Sequence, residues 1–563
     1  MCFAPDPTTI APVKSAASFG LLASLLVAGW THAAFAEKKT VCTITVNSAD
    51  EKETFRRYLP ADKFRFVELV ERGRPDWLAS ACEARTRCDV LVISGHYDGR
   101  DEFYSDQPSV SEFLPVEEME RASCSKSCST LFSQLKEVYL FGCNTLNPEA
   151  LKRMSSELAR SLVRSGHSVA DSERLARQIA SLHGASSRDR MRLIFEDVPV
   201  IYGFSAKAPV GPVAASMLGG YFRAGGGGEV ASGRASARLL GHFASSSMAV
   251  SGGIGRSDAL EAVRKDVCQF SDDGLEPAQK LEFVHQLLDR ETAGMRPYFG
   301  RIEKYVGSLT DADRRQLDVA LALDGIARDA DARERYLAFA RDADQPTIRA
   351  RMVKVARELG WLSSDEERAE LTALVRDRLA GKLTAADVEL ACSLNDRHEL
   401  DAALPAVMPA AAQPASVGEA AVLACLGSAE ARTLVLPALT SPRDAEFEMA
   451  QVYLRHRPLS DAGELRLVTA DIANVADPTI QVRALDALAG QHLSDPESLE
   501  ELTRLYPVAL SPNVQVAIAG VLLRSDYESI ATPEIVQTLR ESRLKADGGP
   551  DFVDALIRRL EAN

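Results

Sequence analysis

Two short runs carry no internal polar residue: Val90-Leu-Val-Ile93, between Asp89 and Ser94, and Val138-Tyr-Leu-Phe141, after Glu137. A strand with one solvated face alternates apolar and polar residues. A run that does not alternate is buried on both faces, as in a parallel sheet covered by helices. Each run continues through a glycine to a reactive side chain, Ser94-Gly95-His96-Tyr97 in one case and Phe141-Gly142-Cys143-Asn144 in the other. His96 and Cys143 thus stand just past two buried strands, where the functional groups of such sheets collect.

The flanking sequence supplies the rest of a sheet. Thr40 to Val46, Phe64 to Val70 and Val198 to Phe204 read as further strands; Ala49–Tyr58, Trp77–Arg85, Leu131–Lys136, Pro148–Arg164 and Ser172–Leu182 read as helices. That alternation predicts an α/β domain over residues 37–223, a mostly parallel sheet with helices on both faces. Residues 224–257 are rich in Gly, Ser and Ala, including the run Gly225 to Gly228, and are expected to be a linker or a surface loop. A phosphate-binding loop is excluded there, because no Gly-Lys-Ser/Thr follows and no strand leads in.

From Asp258 to Asn563 the strand signal ends and helical spacing dominates. The segment also resembles itself. Gln345-Pro-Thr-Ile-Arg-Ala-Arg351 echoes Asp477-Pro-Thr-Ile-Gln-Val-Arg483, and Ser511-Pro-Asn-Val-Gln-Val516 repeats the form. A short turn into a helix with an internal Arg resembles HEAT-type repeats, which implies about six or seven helix pairs over 258–563. The stacked helices of such an array present a concave surface, which suits a protein partner better than chemistry.

Residues 1–36 differ from the remainder, with an apolar run from Ala16 to Trp30 and then Ala34-Phe-Ala36. This is the pattern of a signal peptide cut after Ala36. A periplasmic or secreted location is expected, with no integral membrane segment in the mature chain. The chain is too long for one core. Its net charge of −15, with charges of both signs interspersed, argues against nucleic acid as a partner.

Nine cysteines follow the apolar leader. In an oxidising compartment most should pair, and an odd number leaves at least one thiol unpaired or bonded to another molecule. If Cys143 is that thiol, eight remain for disulfides. Local spacing favours a bridge between Cys124 and Cys128 and another among Cys42, Cys82 and Cys88. Cys392 and Cys425 recur in similar Leu-Ala-Cys contexts, so they are either bridged across neighbouring repeats or two small buried helix residues. Cys124-Ser-Lys-Ser-Cys128 could supply two metal thiolates, but no Cys/His pair follows at ligand spacing, and neither metal nor cofactor is expected.

A thiol attacks a carbonyl as thiolate, and an adjacent imidazole can take its proton and later protonate the leaving amine. The N–H of Cys143 and one near His96 could stabilise the resulting oxyanion. An apolar strand into Ser-Gly-His, followed by an apolar strand into Gly-Cys, resembles the caspase-like cysteine peptidases, including gingipain-, separase- and CHAT-type members. The resemblance covers roughly Lys38 to Arg223. It implies His96 as general acid/base, Cys143 as nucleophile, Gly95 shaping the turn, and Ser205 to Pro209 walling a cleft for protein or peptide substrates. Tyr97 stands where most members have Gly, and Phe141-Gly142 where caspases proper carry Gln-Ala. The other reading is an inactive relative in the cell envelope whose helical repeats form a binding scaffold.

Overall fold

The structure, a computed structural model, describes residues 37–562 apart from 70–77, 99–101, 106–112, 150–167, 183–185, 291, 344, 408–413, 460–461, 492, 510 and 545–550. The expected signal peptide and the body of the helix expected over Pro148–Arg164 lie outside the described residues. The α/β part runs β1 (Lys39–Thr45), α1 (Asp50–Tyr58), β2 (Phe64–Glu68), α2 (Ala79–Glu83), β3 (Val90–Ser94), β4 (His96–Tyr97), β5 (Glu102–Tyr104), β6 (Phe113–Pro115) and α3 (Val116–Cys124). It continues with β7 (Glu137–Phe141), α4 (Val169–Leu182), α5 (Ser187–Ile194), β8 (Val200–Phe204), α6 (Gly211–Arg223), α7 (Ala237–His242), β9 (Met248–Ser251) and α8 (Glu261–Ser271).

Six strands form one sheet in the order β2-β1-β3-β7-β8-β9, parallel except for β9. The unbroken apolar runs are explained by burial on both sides. Leu91, Ile93, Val138 and Leu140 face one core with α3 and α5, whereas Val90, Val92, Tyr139 and Phe141 face another with α1, α6 and α7. A second, antiparallel sheet, β4-β5-β6, branches from the end of β3. Leu131–Lys136, expected as a helix remnant, is instead a turn whose Leu131 and Leu135 are buried.

Residues 224–257 are not a linker. Val230, Leu239, Phe243 and Ile254 are buried, α7 packs on the sheet side, and β9 adds the antiparallel edge strand. The anchor is the buried carboxylate of Glu137, which accepts the successive backbone N–H groups of Ala231, Ser232 and Gly233 at 3.0, 2.9 and 3.1 Å and the Tyr139 hydroxyl at 2.7 Å. Positive φ at Ala231 and Gly233 curls these donors into a nest around the anion. At Gly253 the chain passes so close to the Phe195 carbonyl that a side-chain Cβ would lie 1.8 Å from its oxygen.

The disulfides agree with the local expectation in part. Cys42 pairs with Cys88, joining β1 to the lead-in of its neighbour β3, and Cys392 pairs with Cys425. The Cys124–Cys128 bridge does not form: Cys128 pairs with Cys82 on α2, and Cys124 with Cys268 on α8. The reason lies in the ends of two elements. Cys124 closes α3 on the side that packs against α8, and the 3-10 turn Lys126–Cys128 then swings the second thiol towards α2. Among the described residues Cys143 is the unpaired thiol.

Beyond α8 the described residues are helical, with one continuous core from Leu281 to Leu560. Helix Pro478–Leu488 packs on Pro512–Leu523, and that helix packs on Phe552–Ala562. The sequence echoes have physical counterparts. Arg351 and Arg483, each five residues after the helix-opening proline, both reach back to an acid and a phenylalanine: Glu303 and Phe299 in one case, Asp444 and Phe447 in the other. Gln481 and Gln515 each donate to a carbonyl nine residues earlier, Ile472 and Tyr506, both at 3.1 Å. No helix of the described residues is long and apolar enough to cross a membrane.

Candidate active site

The register of the central strands sets side by side the two strand ends that lead into the reactive residues. β3 pairs with β7 in parallel with Ser94 opposite Phe141. His96 and Cys143 each lie two residues past that pair, His96 on β4 of the small antiparallel sheet and Cys143 in the turn that follows β7. The Gly95 N–H still donates to the Phe141 carbonyl, at 3.2 Å, one step past the ladder. Gly142 is required by the closeness of the two ends: a Cβ there would lie 2.9 Å from both the Gly95 oxygen and the Tyr97 Cβ.

Past Cys143 the chain turns sharply and is fastened to the end of β8. Asn144 takes φ +60°, its N–H donating to Ala206 O at 2.7 Å. The Thr145 hydroxyl donates to Gly142 O at 3.1 Å and accepts the Phe204 N–H at 3.0 Å. The half-buried Cys143 sulfur accepts the Ala208 N–H at 3.3 Å. Ser205 to Pro209, expected as a cleft wall, therefore borders the thiol directly. The N–H of Cys143 itself has no hydrogen-bond partner among the described residues, leaving it available to an oxyanion.

On the other side, His96 opens β4 opposite Tyr104, their rings 5.5 Å apart and tilted by 32°. Tyr97 points the opposite way. It is buried against Phe103, ring centroids 4.8 Å apart, so Tyr97 sits in the core, on the face opposite His96.

Below the site lies a carboxylate that the sequence did not single out. Glu51, in the first turn of α1, is buried, and neither its Oε2 nor the buried Ser94 hydroxyl has a hydrogen-bond partner among the described residues. Burial pushes Glu51 up to about 7, against the opposing pull of its own backbone N–H and the nearby Ser94 hydroxyl. Nothing marks it in the sequence, because an acid in a first helical turn ordinarily faces water. Away from the site, His285, Asp289 and Asp329 bring potential ligand atoms within 4.8 Å of one another. Their chemistry is already engaged: Asp329 pairs with His285 and caps the Ala332 N–H, and Asp289 pairs with Arg335.

Comparison with known proteins yields no match to a family model, a curated protein or a solved structure.

Proposed function

We propose that the chain is an exported cysteine peptidase, caspase-like in its α/β domain, with a HEAT-like helical region that docks substrates or a partner. The observation that carries this reading is the pairing of Ser94 with Phe141 on adjacent parallel strands, two residues before His96 and before Cys143, with the Cys143 sulfur accepting a backbone N–H. In the reaction the Cys143 proton passes to His96, the thiolate attacks the scissile carbonyl, and the oxyanion meets the Cys143 N–H. His96 returns the proton to the amine as the C–N bond breaks. Water, deprotonated by His96, then hydrolyses the thioester, and the thiol is reprotonated. No cofactor enters these steps.

Alkylation of the unreduced mature protein, followed by peptide mapping, tests the dyad. Cys143 should label with iodoacetamide at least about tenfold faster than the thiol of an unstructured peptide, and His96→Ala should abolish that advantage. A slow Cys143 that His96→Ala leaves unchanged overturns the reading.

A further inference from the structure

The small sheet that carries His96 has two faces of unequal explanation. On the inner face Tyr97, Phe103 and Leu114 align across the three strands and are buried. The outer face aligns His96, Tyr104 and Phe113 by the same register. An outer face of this kind is ordinarily polar. Here Tyr104 and Phe113 are instead 37% and 38% exposed. Across the thiol the pattern recurs: two residues past the Ala208 N–H that meets the sulfur, Val210 is 64% exposed, and Val213 on the first turn of α6 is 44% exposed. Tyr104 and Phe113 thus follow His96 across the small sheet, and Val210 and Val213 follow the Ala208 turn that meets the Cys143 sulfur, so an apolar group adjoins each member of the candidate pair.

Isolated exposed apolar residues need no explanation, but clusters continuous with a reactive pair mark a binding site. The occupant follows from that continuity. A polypeptide whose carbonyl reaches Cys143 has Tyr104 beside the His96 ring and Val210 two residues past the N–H on the sulfur as the apolar groups offered to its neighbouring side chains. We infer that Tyr104 and Val210 are specificity-determining residues, selecting substrates that carry an aromatic or large aliphatic side chain within two residues of the reacting carbonyl. This rests on the peptidase reading for its chemistry but not for the binding itself. Such side chains are buried in folded proteins, so the substrate class is an unfolded or extended segment with an exposed apolar residue.

Two readouts on the unreduced mature protein keep the inference and the peptidase reading apart. The first is the rate of Cys143 alkylation by N-benzyl-iodoacetamide divided by that for iodoacetamide, normalised to the same ratio for free cysteine. The second is a map of cuts in reduced, carboxymethylated casein. The normalised ratio should be about tenfold, the discrimination expected from seating one apolar group. It should fall to near one in Tyr104→Ser and decline in Val210→Ser, both exposed positions where folding is undisturbed. Cuts should cluster beside aromatic and large aliphatic residues. A ratio near one in the native protein, or cuts without apolar bias, overturns the inference. A Tyr104-dependent ratio with intact casein supports the apolar subsite and removes the peptidase reading.

Discussion

At the residue scale the molecule keeps one group under a cost that pH can remove. Glu51 is buried beside Ser94 at the carboxyl end of the sheet, with its carboxyl pushed up to about 7. In the unfolded chain it titrates near 4.5, so between those values the native state holds a proton that the unfolded state has lost. Stability therefore falls as pH rises through that window, and above it the cost is about 3 kcal/mol. Glu51→Gln should raise the urea midpoint at pH 8 and leave it nearly unchanged at pH 4.5; an equal gain at both pH values would rule out burial of the charge as the cause. The strands that lead into His96 and Cys143 were legible from sequence because an unbroken apolar run ending in glycine is a local signal. Glu51 was not, because its burial depends on α6 closing over α1 from more than 150 residues away. Tyr97 was read as a departure at the site, yet strand alternation alone turns it into the core.

At the scale of elements, the five parallel strands could be anticipated and the sixth could not. β7 and β3 announce themselves by unbroken apolar runs, whereas β9 is four partly exposed residues in a segment whose composition suggests a linker. What orders that segment is a long-range contact, the Glu137 carboxylate in the nest of 231–233. Glu137→Ala leaves three backbone donors and the Tyr139 hydroxyl without their acceptor. The loss should be about 3–5 kcal/mol, the scale of breaking a buried charged network. Trypsin should then cut the folded variant at Arg234 and Arg238, bonds that resist in the parent chain. Persistence of that resistance would mean that the apolar contacts of Val230, Leu239 and Phe243 hold the segment unaided.

At the scale of the whole molecule, the helical region is joined to the α/β part through α3, the helix that follows the strand hairpin bearing His96. The disulfide Cys124–Cys268 ties its end to α8, the helix that leads directly into the helical region, and Arg121 pairs with Asp273 just past α8 at 2.9 Å. Its buried Glu120 accepts Arg301, on helix Phe299–Ser308, at 2.6 and 2.7 Å and Arg190 at 3.1 Å. Burial alone would raise the Glu120 carboxyl, but the Arg301 and Arg190 guanidiniums outweigh it and hold the group down to about 2. Its contribution is accordingly complete above 4.5 and lost as pH falls towards 2. The sequence offered Cys124 a nearer partner four residues away, and geometry along a helix end overruled proximity. The pairing itself is directly checkable, because trypsin cleaves after Lys126 and separates Cys124 from Cys128. A non-reducing map should link the Cys124 peptide to the one containing Cys268, and a link to the Cys128 peptide would contradict this arrangement. With the closed loop spanning 144 residues, Cys124→Ser with Cys268→Ser should cost up to about 5 kcal/mol at the junction. The Glu120–Arg301 pair would then remain beside Arg121–Asp273 and Lys304–Glu117 as a tie between the regions, so lowering the pH from 5 to 3, which weakens the Glu120 pair, should split urea unfolding of the double variant into two transitions. The disulfide-bonded parent should keep a single transition over the same range, and two transitions in both proteins would mean that α3 does not couple the two regions.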